Sequence, residues 1–170
     1  MTVTFASPRF YTRPGKIKES PGDFICLHCG ALVCAEAALS GVRNRNHCPY
    51  CLSSRHLDQF EAGDRLSACK ARMRPVGLPL KRIAKKYAGH AQGELMLVHQ
   101  CEDCGKLSIN RIAADDVAEA ILALLEPSGG LDADTRARLV QEGVTPLDAA
   151  QIGLVRQCLF GIGAAAFQEG

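Results

Sequence analysis

Residues 26–29 read Cys-Leu-His-Cys and residues 48–51 read Cys-Pro-Tyr-Cys, two C-x2-C hooks separated by 18 residues. The turn of such a hook points both thiolates at one place, and two hooks complete a tetrahedral all-thiolate metal site. The separation is typical of a zinc ribbon, although all-thiolate sites also suit iron. We therefore predict one closed structural site formed by Cys26, Cys29, Cys48 and Cys51.

A third hook, formed by Cys101 and Cys104, has no matching fourth hook in the sequence. Cys69 lies between the second and third hooks in a turn-rich segment and is the best candidate for a third ligand. A histidine would then complete the site, and His99, two residues before the hook, is the nearest candidate. His99 could equally pack on the hook, the pairing of the hooks is open, and the lesser candidates are His90 and His47. We expect two zinc ions.

Nine cysteines in 170 residues would suggest disulfide bonds in a secreted chain. The N-terminal residues lack the apolar region and cleavage site of a signal peptide, and no stretch approaches the roughly 18 apolar residues of a membrane helix. We therefore expect a cytoplasmic protein with no membrane partner, in which paired cysteines bind metal. The two remaining cysteines, Cys34 and Cys158, are expected to be small core residues.

Charge is distributed very unevenly along the chain. Residues 1–111 have a balance of +8 and residues 112–170 a balance of −6, although the whole chain is only +2. One four-thiolate and one three-thiolate zinc site would lower the basic half to about +5. This asymmetry points to an anionic partner for the basic half.

The composition of the chain changes twice, which predicts three parts. Residues 1–23 have basic residues between prolines and no periodicity, so we expect an extended basic arm. Residues 24–126 contain most cysteines and many turn signals, with a loop or short helix expected over 75–93. Residues 127–170 are predicted to be an acidic helical tail. The expected fold is small α+β, a metal-stabilised zinc-ribbon-like β module followed by a small α-helical tail.

Three helices are predicted after residue 115. Apolar residues at helical spacing follow a capping-box-like pair, Asp116 and Glu119, and Pro127 should end this first helix. A second helix is expected from Asp132 to Gln141. A third should begin with Thr145 as N-cap and Pro146 at the first helical position, and extend to about Phe160.

Several separate strings of residues, in a fixed order, resemble one family. They are Arg45-Asn46-His47-Cys48-Pro49, His56-Leu57-Asp58, Gly63-Asp64-Arg65, Cys69, and His99 with the third hook and Asn110-Arg111-Ile112. Over about residues 24–125 these strings resemble the RNHCP domain, found in zinc-ribbon-like bacterial proteins. The resemblance implies that Cys69 and His99 are part of the metal-binding pattern, and it implies no particular function.

The basic half is the reason to expect RNA. We predict a non-catalytic zinc protein that binds RNA or a ribosomal complex, in which Arg and Lys contact phosphates and Tyr50 offers a stacking surface. Arg43 to Asn46 could instead make structural hydrogen bonds around the sulfurs. The predicted RNA-binding residues are Arg43, Arg45, Arg72, Arg74, Lys81, Arg82, Lys85 and Lys86.

The alternative is a zinc-scaffolded protein-interaction module whose tail helices dock a protein partner without nucleic acid. An enzyme is less expected, because four cysteines close the first site to water. The H-x-E string that zinc deaminases require is also absent from the sequence. We therefore predict neither catalysis nor a small-molecule substrate.

Overall fold

The computed structural model describes residues 22–81 and 93–161, which form short strands and helices. The strands are β1 (Phe24–Ile25), β2 (Leu32–Val33), β3 (Ser54–Arg55), β4 (Arg72–Gly77), β5 (Pro79–Lys81), β6 (Glu94–Cys101), β7 (Leu107–Arg111) and β8 (Val144–Pro146). The helices are α1 (Ala37–Ser40), α2 (Ala118–Ala123), α3 (Leu125–Gly129), α4 (Ala133–Gln141) and α5 (Ile152–Phe160), with a 3-10 turn at Ala149–Gln151. This confirms the predicted small α+β class.

Strand β6 is the centre of the main antiparallel sheet. On one edge it pairs with β4 and β5 in a nearly continuous register, from Met73 opposite Cys101 to Lys81 opposite Glu94. The register shifts between Pro75 and Gly77, because proline has no N–H to donate to the ladder. The other edge of β6 pairs with β7, while β3 and β8 both add to the outer edge of β4 and β5. The separate ribbon of β1 and β2 carries the first hook.

Both faces of the main sheet are covered. Leu97 and Val98 are neighbours on β6, so their side chains point to opposite faces, and both are fully buried. Leu97 belongs to the larger apolar cluster, with residues of α2, α3 and α5 such as Ile121, Leu125 and Val155. Val98 belongs to a second cluster that includes Leu139 of α4. The tail helices are therefore part of the same core as the metal module.

The helix predictions are confirmed only where local signals act alone. The second predicted helix is α4, whose N-cap Asp132 accepts a hydrogen bond of 2.8 Å from the Thr135 N–H. The first predicted helix is divided into α2 and α3, and Pro127 lies within α3 instead of ending a helix. Proline is tolerated there because it occupies the first turn, where its N–H would have no helical partner.

The third helix begins later than predicted. Thr145 and Pro146 belong to β8, and α5 begins only at Ile152, after a capping box formed by Asp148 and Gln151. This segment pairs with the free edge of β5 and therefore forms a strand. Pro146 is tolerated because β8 is itself an edge strand. Residues 75–77 and 79–81 are likewise strand, not the predicted loop or short helix.

Some predictions fall on residues that are not described. The basic arm lies outside the described residues except for positions 22 and 23, and so do residues 82–92. The predicted boundary between module and tail, after residue 126, falls within α3. Among the described residues, no helix has the length and apolar character needed to cross a membrane.

Candidate metal centres

The first two hooks converge on one point. The Sγ atoms of Cys26 and Cys51 are 3.6 Å apart, and so are those of Cys29 and Cys48. All four sulfurs lie within 4.8 Å of one another. Zinc–sulfur bonds of about 2.3 Å give a tetrahedral sulfur–sulfur distance of about 3.8 Å, whereas a disulfide bond is about 2.05 Å. The group therefore fits a four-thiolate zinc site and not a pair of disulfides.

Each hook is closed by the same local turn. The residue after the second cysteine has a positive φ and donates its N–H to the carbonyl of the first cysteine, as Gly30 does to Cys26 and Gly105 to Cys101. Leu52 does the same to Cys48 with φ 57°, although it is not glycine. This conformation costs Leu52 about 1–2 kcal/mol, which burial of its side chain in the larger apolar cluster offsets.

A second group contains Cys69, the third hook and a histidine. The Sγ atoms of Cys69 and Cys101 are 3.6 Å apart, and Cys104 Sγ lies 3.4 Å from Nδ1 of His56. The four ligand atoms lie within 4.8 Å of one another. The chain therefore has two groups that can each hold a metal ion, which is consistent with the predicted two zinc ions.

The fourth ligand of this second group is His56, so the prediction of His99 is wrong. His99 is fully buried, its Nε2 bonds the Leu52 carbonyl at 2.7 Å, and its Nδ1 accepts from the Asn110 amide at 2.8 Å. Both ring nitrogens are thus used by the fold. On β6, His99 and Cys101 point to the same face, but the sheet and not the hook surrounds His99.

His56 is placed by β3 rather than by proximity in sequence. Its N–H donates to the Ala71 carbonyl at 2.9 Å, which brings it beside Cys69 and the start of β4. One signal in the sequence could have found it, because His56 is the single histidine between the second hook and Cys69. Of the two lesser candidates, His47 binds Asp116 through Nε2 instead, and His90 lies outside the described residues.

The electrostatics of both groups suit a bound cation. Burial raises the pKa of the Cys48 thiol to about 12, whereas the Ala31 N–H lowers the pKa of the Cys29 thiol to about 7. A thiolate at Cys48 therefore needs a cation beside it, which zinc would supply. Burial, and then the charges of Lys106 and Lys70, lower the pKa of His56. Its imidazole is neutral at pH 7, the form that binds metal.

A largely buried ion-pair network adjoins Cys48 of the first site. Arg45 is 1% exposed, and its guanidinium bonds Asp115 at 2.7 Å, Asp116 at 3.1 Å and the His47 carbonyl at 3.1 Å. Asp116 also bonds His47 Nε2 at 2.8 Å and the Ala113 N–H at 2.8 Å, so it is not the predicted helix cap. The prediction that Arg45 contacts RNA is therefore wrong, because its charge is held inside the protein.

The other predicted RNA-binding residues are in part exposed on the surface and in part outside the described residues. Arg72 and Arg74 lie on β4, Lys81 is exposed at the end of β5, and Arg43 is exposed after α1. Arg82, Lys85 and Lys86 lie outside the described residues. Of the two cysteines expected in the core, Cys34 is half-buried and Cys158 is exposed on α5, so the expectation for Cys158 is wrong.

Comparison with known proteins gives one match. The model of the RNHCP domain matches residues 21–122, which contain all eight residues of the two metal groups. No curated protein and no solved structure matches the chain. The match covers more than half of the sequence and agrees with the strings on which the resemblance rests, so this chain belongs to the RNHCP domain family.

Proposed function

We propose that this chain is a non-catalytic zinc protein that binds RNA through an arginine row on its main sheet. The row consists of Arg55, Arg72 and Arg74. Arg55 on β3 is directly opposite Arg72 on β4, and Arg74 is two residues further along, so all three side chains are on one face. Three arginines on one face of adjacent strands form a cationic row that could contact several phosphates of one nucleic-acid backbone.

The charge of this row is only partly neutralised within the protein. Glu102 pairs with Arg72 through Nε at 2.6 Å and Nη2 at 2.8 Å, and this pair is partly exposed. Arg74 bonds the neutral amide of Gln100 at 2.8 Å. Arg55 donates through Nε to the Lys70 carbonyl at 3.0 Å. Two of the three positive charges are thus without an acidic partner among the described residues, which favours an anionic ligand.

The proposed lack of catalysis rests on the number of ligands. Each metal group has four candidate ligands from the protein. A catalytic zinc ordinarily keeps one position open for water or substrate, whereas a structural site is closed by four protein ligands. Both groups have the closed composition, which supports a scaffold role for the metal.

Charge reversal tests the arginine row. In fluorescence anisotropy with a labelled RNA hairpin, Arg74→Glu should weaken binding about tenfold and reduce the slope of log affinity against log salt by about one. The matched control is Arg138→Glu on α4, which makes the same charge change at another exposed site. Equal effects of the two variants, or no binding by the zinc-loaded wild type, would refute the proposal.

The second candidate function is docking of a protein partner through the tail helices. It is favoured by exposed apolar side chains there, since Val140 is 59% exposed, Phe160 54% and Ile152 42%. Deletion of residues 127–170 cannot test this, because it would remove β8 and core residues such as Val155. The variants Val140→Ser and Phe160→Ser should abolish such docking and leave RNA affinity unchanged, and docking should resist added salt.

A further inference from the structure

A small cavity opens between the β1–β2 ribbon and the arginine row. Its volume is about 100 Å³, and its lining combines apolar side chains, including Ile25, Leu27 and Leu57, with Arg55 and Arg72 of the row. This volume exceeds the roughly 10–15 Å³ of such space that one water needs and falls short of the roughly 300–1,000 Å³ of a pocket for a drug-sized molecule, so the cavity suits one small group. The cavity is therefore suited to a single side group of a larger ligand.

Among the polar residues that line the cavity is Asn46, which belongs to the string that gives the family its name. In that string Arg45 and His47 are held by acidic partners, and Cys48 belongs to the first metal group. Asn46 is different, because it is 7% exposed and its Oδ1 atom is buried with no hydrogen-bond partner among the described residues. A buried polar atom without a hydrogen-bond partner costs about 1–3 kcal/mol of stability. Folding alone therefore gives no reason for an unpaired oxygen at this position.

The orientation of the Asn46 amide defines the missing partner. Its Nδ2 atom donates to the Asp58 carboxylate at 3.4 Å. The opposite orientation would place the amide oxygen against a carboxylate, which only accepts hydrogen bonds. Oδ1 is therefore the atom without a partner, and an N–H or O–H donor of a ligand in the cavity would satisfy it.

We propose that this cavity receives one unpaired nucleobase of a bound RNA, a step that rests on the proposed function. Every base carries an amino or imino N–H on its pairing edge, which would donate to Asn46 Oδ1. The apolar lining would contact the base, and the adjoining phosphates would meet Arg55 and Arg72. Sequence-specific readers of RNA commonly take an unpaired base out of the stack in this way. The ligand class is thus single-stranded or looped RNA.

Two labelled 12-mers of equal charge test this proposal with the zinc-loaded full chain. One is oligoadenylate, and the other has the same sugar–phosphate backbone without bases. The wild type should bind the oligoadenylate about tenfold more tightly in fluorescence anisotropy, the scale of one well-held base. Leu27→Glu, at the cavity, should abolish this preference. Leu32→Glu should keep it, since Leu32 is similarly exposed (65% against 60%) but does not line the cavity.

A second variant tests the acceptor itself. Asn46→Leu removes Oδ1 at nearly constant volume and should also abolish the preference for bases, provided that two zinc ions per chain show that the variant is folded. Equal binding of the two 12-mers by wild type would overturn the cavity proposal while leaving the arginine row intact. Equal losses in Leu27→Glu and Leu32→Glu would overturn it too, because the preference for bases would then not depend on the cavity. Failure to bind either 12-mer or the hairpin would refute the proposed function as well.

Discussion

Replacing His56 by alanine should weaken one of the two metal sites, whereas replacing His99 by alanine should leave both intact. The two histidines distinguish the ligand found in the structure from the ligand predicted from sequence, since His99 is near the third hook in sequence and His56 is near it in space. Both residues are buried and both changes remove an imidazole. The pair is therefore matched in burial and in the group removed, and it differs in the predicted contact with metal.

The two substitutions are expected to change different quantities, zinc affinity for His56→Ala and the free energy of unfolding for His99→Ala. A structural zinc site contributes roughly 12 kcal/mol, so one of four ligands is worth about 3 kcal/mol, or about a hundredfold in zinc affinity. His99→Ala instead removes the hydrogen bonds to the Leu52 carbonyl and the Asn110 amide and leaves a cavity in the sheet. We expect it to lower the free energy of unfolding by about 3 kcal/mol with no change in zinc affinity.

Competition with a coloured zinc chelator measures both quantities. Wild type and His99→Ala should each release two equivalents in the same affinity range, and His56→Ala should release one equivalent at about a hundredfold weaker chelator strength. Urea unfolding with zinc present should then show the loss of stability in His99→Ala. If His99→Ala loses a zinc equivalent and His56→Ala does not, our assignment of the ligand is refuted.

Three further predictions concern stability. Arg45→Met should lower the free energy of unfolding in urea by about 3–5 kcal/mol, because it leaves Asp116 buried without its cation. The RNA affinity of the folded variant should be unchanged. A change in RNA affinity without loss of stability would contradict the buried network. Gly63→Ala should lower the melting temperature, since φ is 87° and the new Cβ would overlap the Asn44 amide, whereas Gly153→Ala in α5, with open space around it, should be neutral or stabilising. Chelation of zinc under reducing conditions should remove hydrogen-exchange protection from β1 and β2 while the helical circular dichroism signal persists. The reason is that only a small cluster of Cys26, Val33 and Cys48 underlies that ribbon. Simultaneous loss of both signals would show that the ribbon and the core unfold together.

The part of the structure that could be predicted from sequence is governed by local spacing. A C-x2-C hook determines its own turn, so the convergence of Cys26, Cys29, Cys48 and Cys51 follows from two strings of four residues. Helix α4 is equally local, because Asp132 caps it within one turn. In both cases the interacting groups are within a few residues of each other.

What sequence could not show depends on pairing between distant segments. His56 reaches Cys104 across 48 residues and Arg45 reaches Asp115 across 70. Thr145 is a strand residue because β5 offers a free edge, although Pro146 at that position is a strong local signal for the start of a helix. Tertiary contacts override local propensity at such positions, and a single sequence does not reveal which distant segment supplies the contact.

The network around Arg45 also explains how a small zinc ribbon is joined to a helical core. Arg45 and His47 both bond Asp116, and the carbonyl of Pro49 accepts the Val117 N–H at 2.9 Å, so three residues of the string hold the start of α2. Cys48 lies among them and belongs to the first metal group. Because a metal-bound hook cannot move far, zinc at Cys48 would also orient Arg45, His47 and Pro49 toward the helix. Arg45 and Asn46 both line the cavity, but of the two it is Asn46 that has a buried acceptor without a partner among the described residues. The same turn that joins the first metal group to the helix would hold this oxygen in place for a ligand.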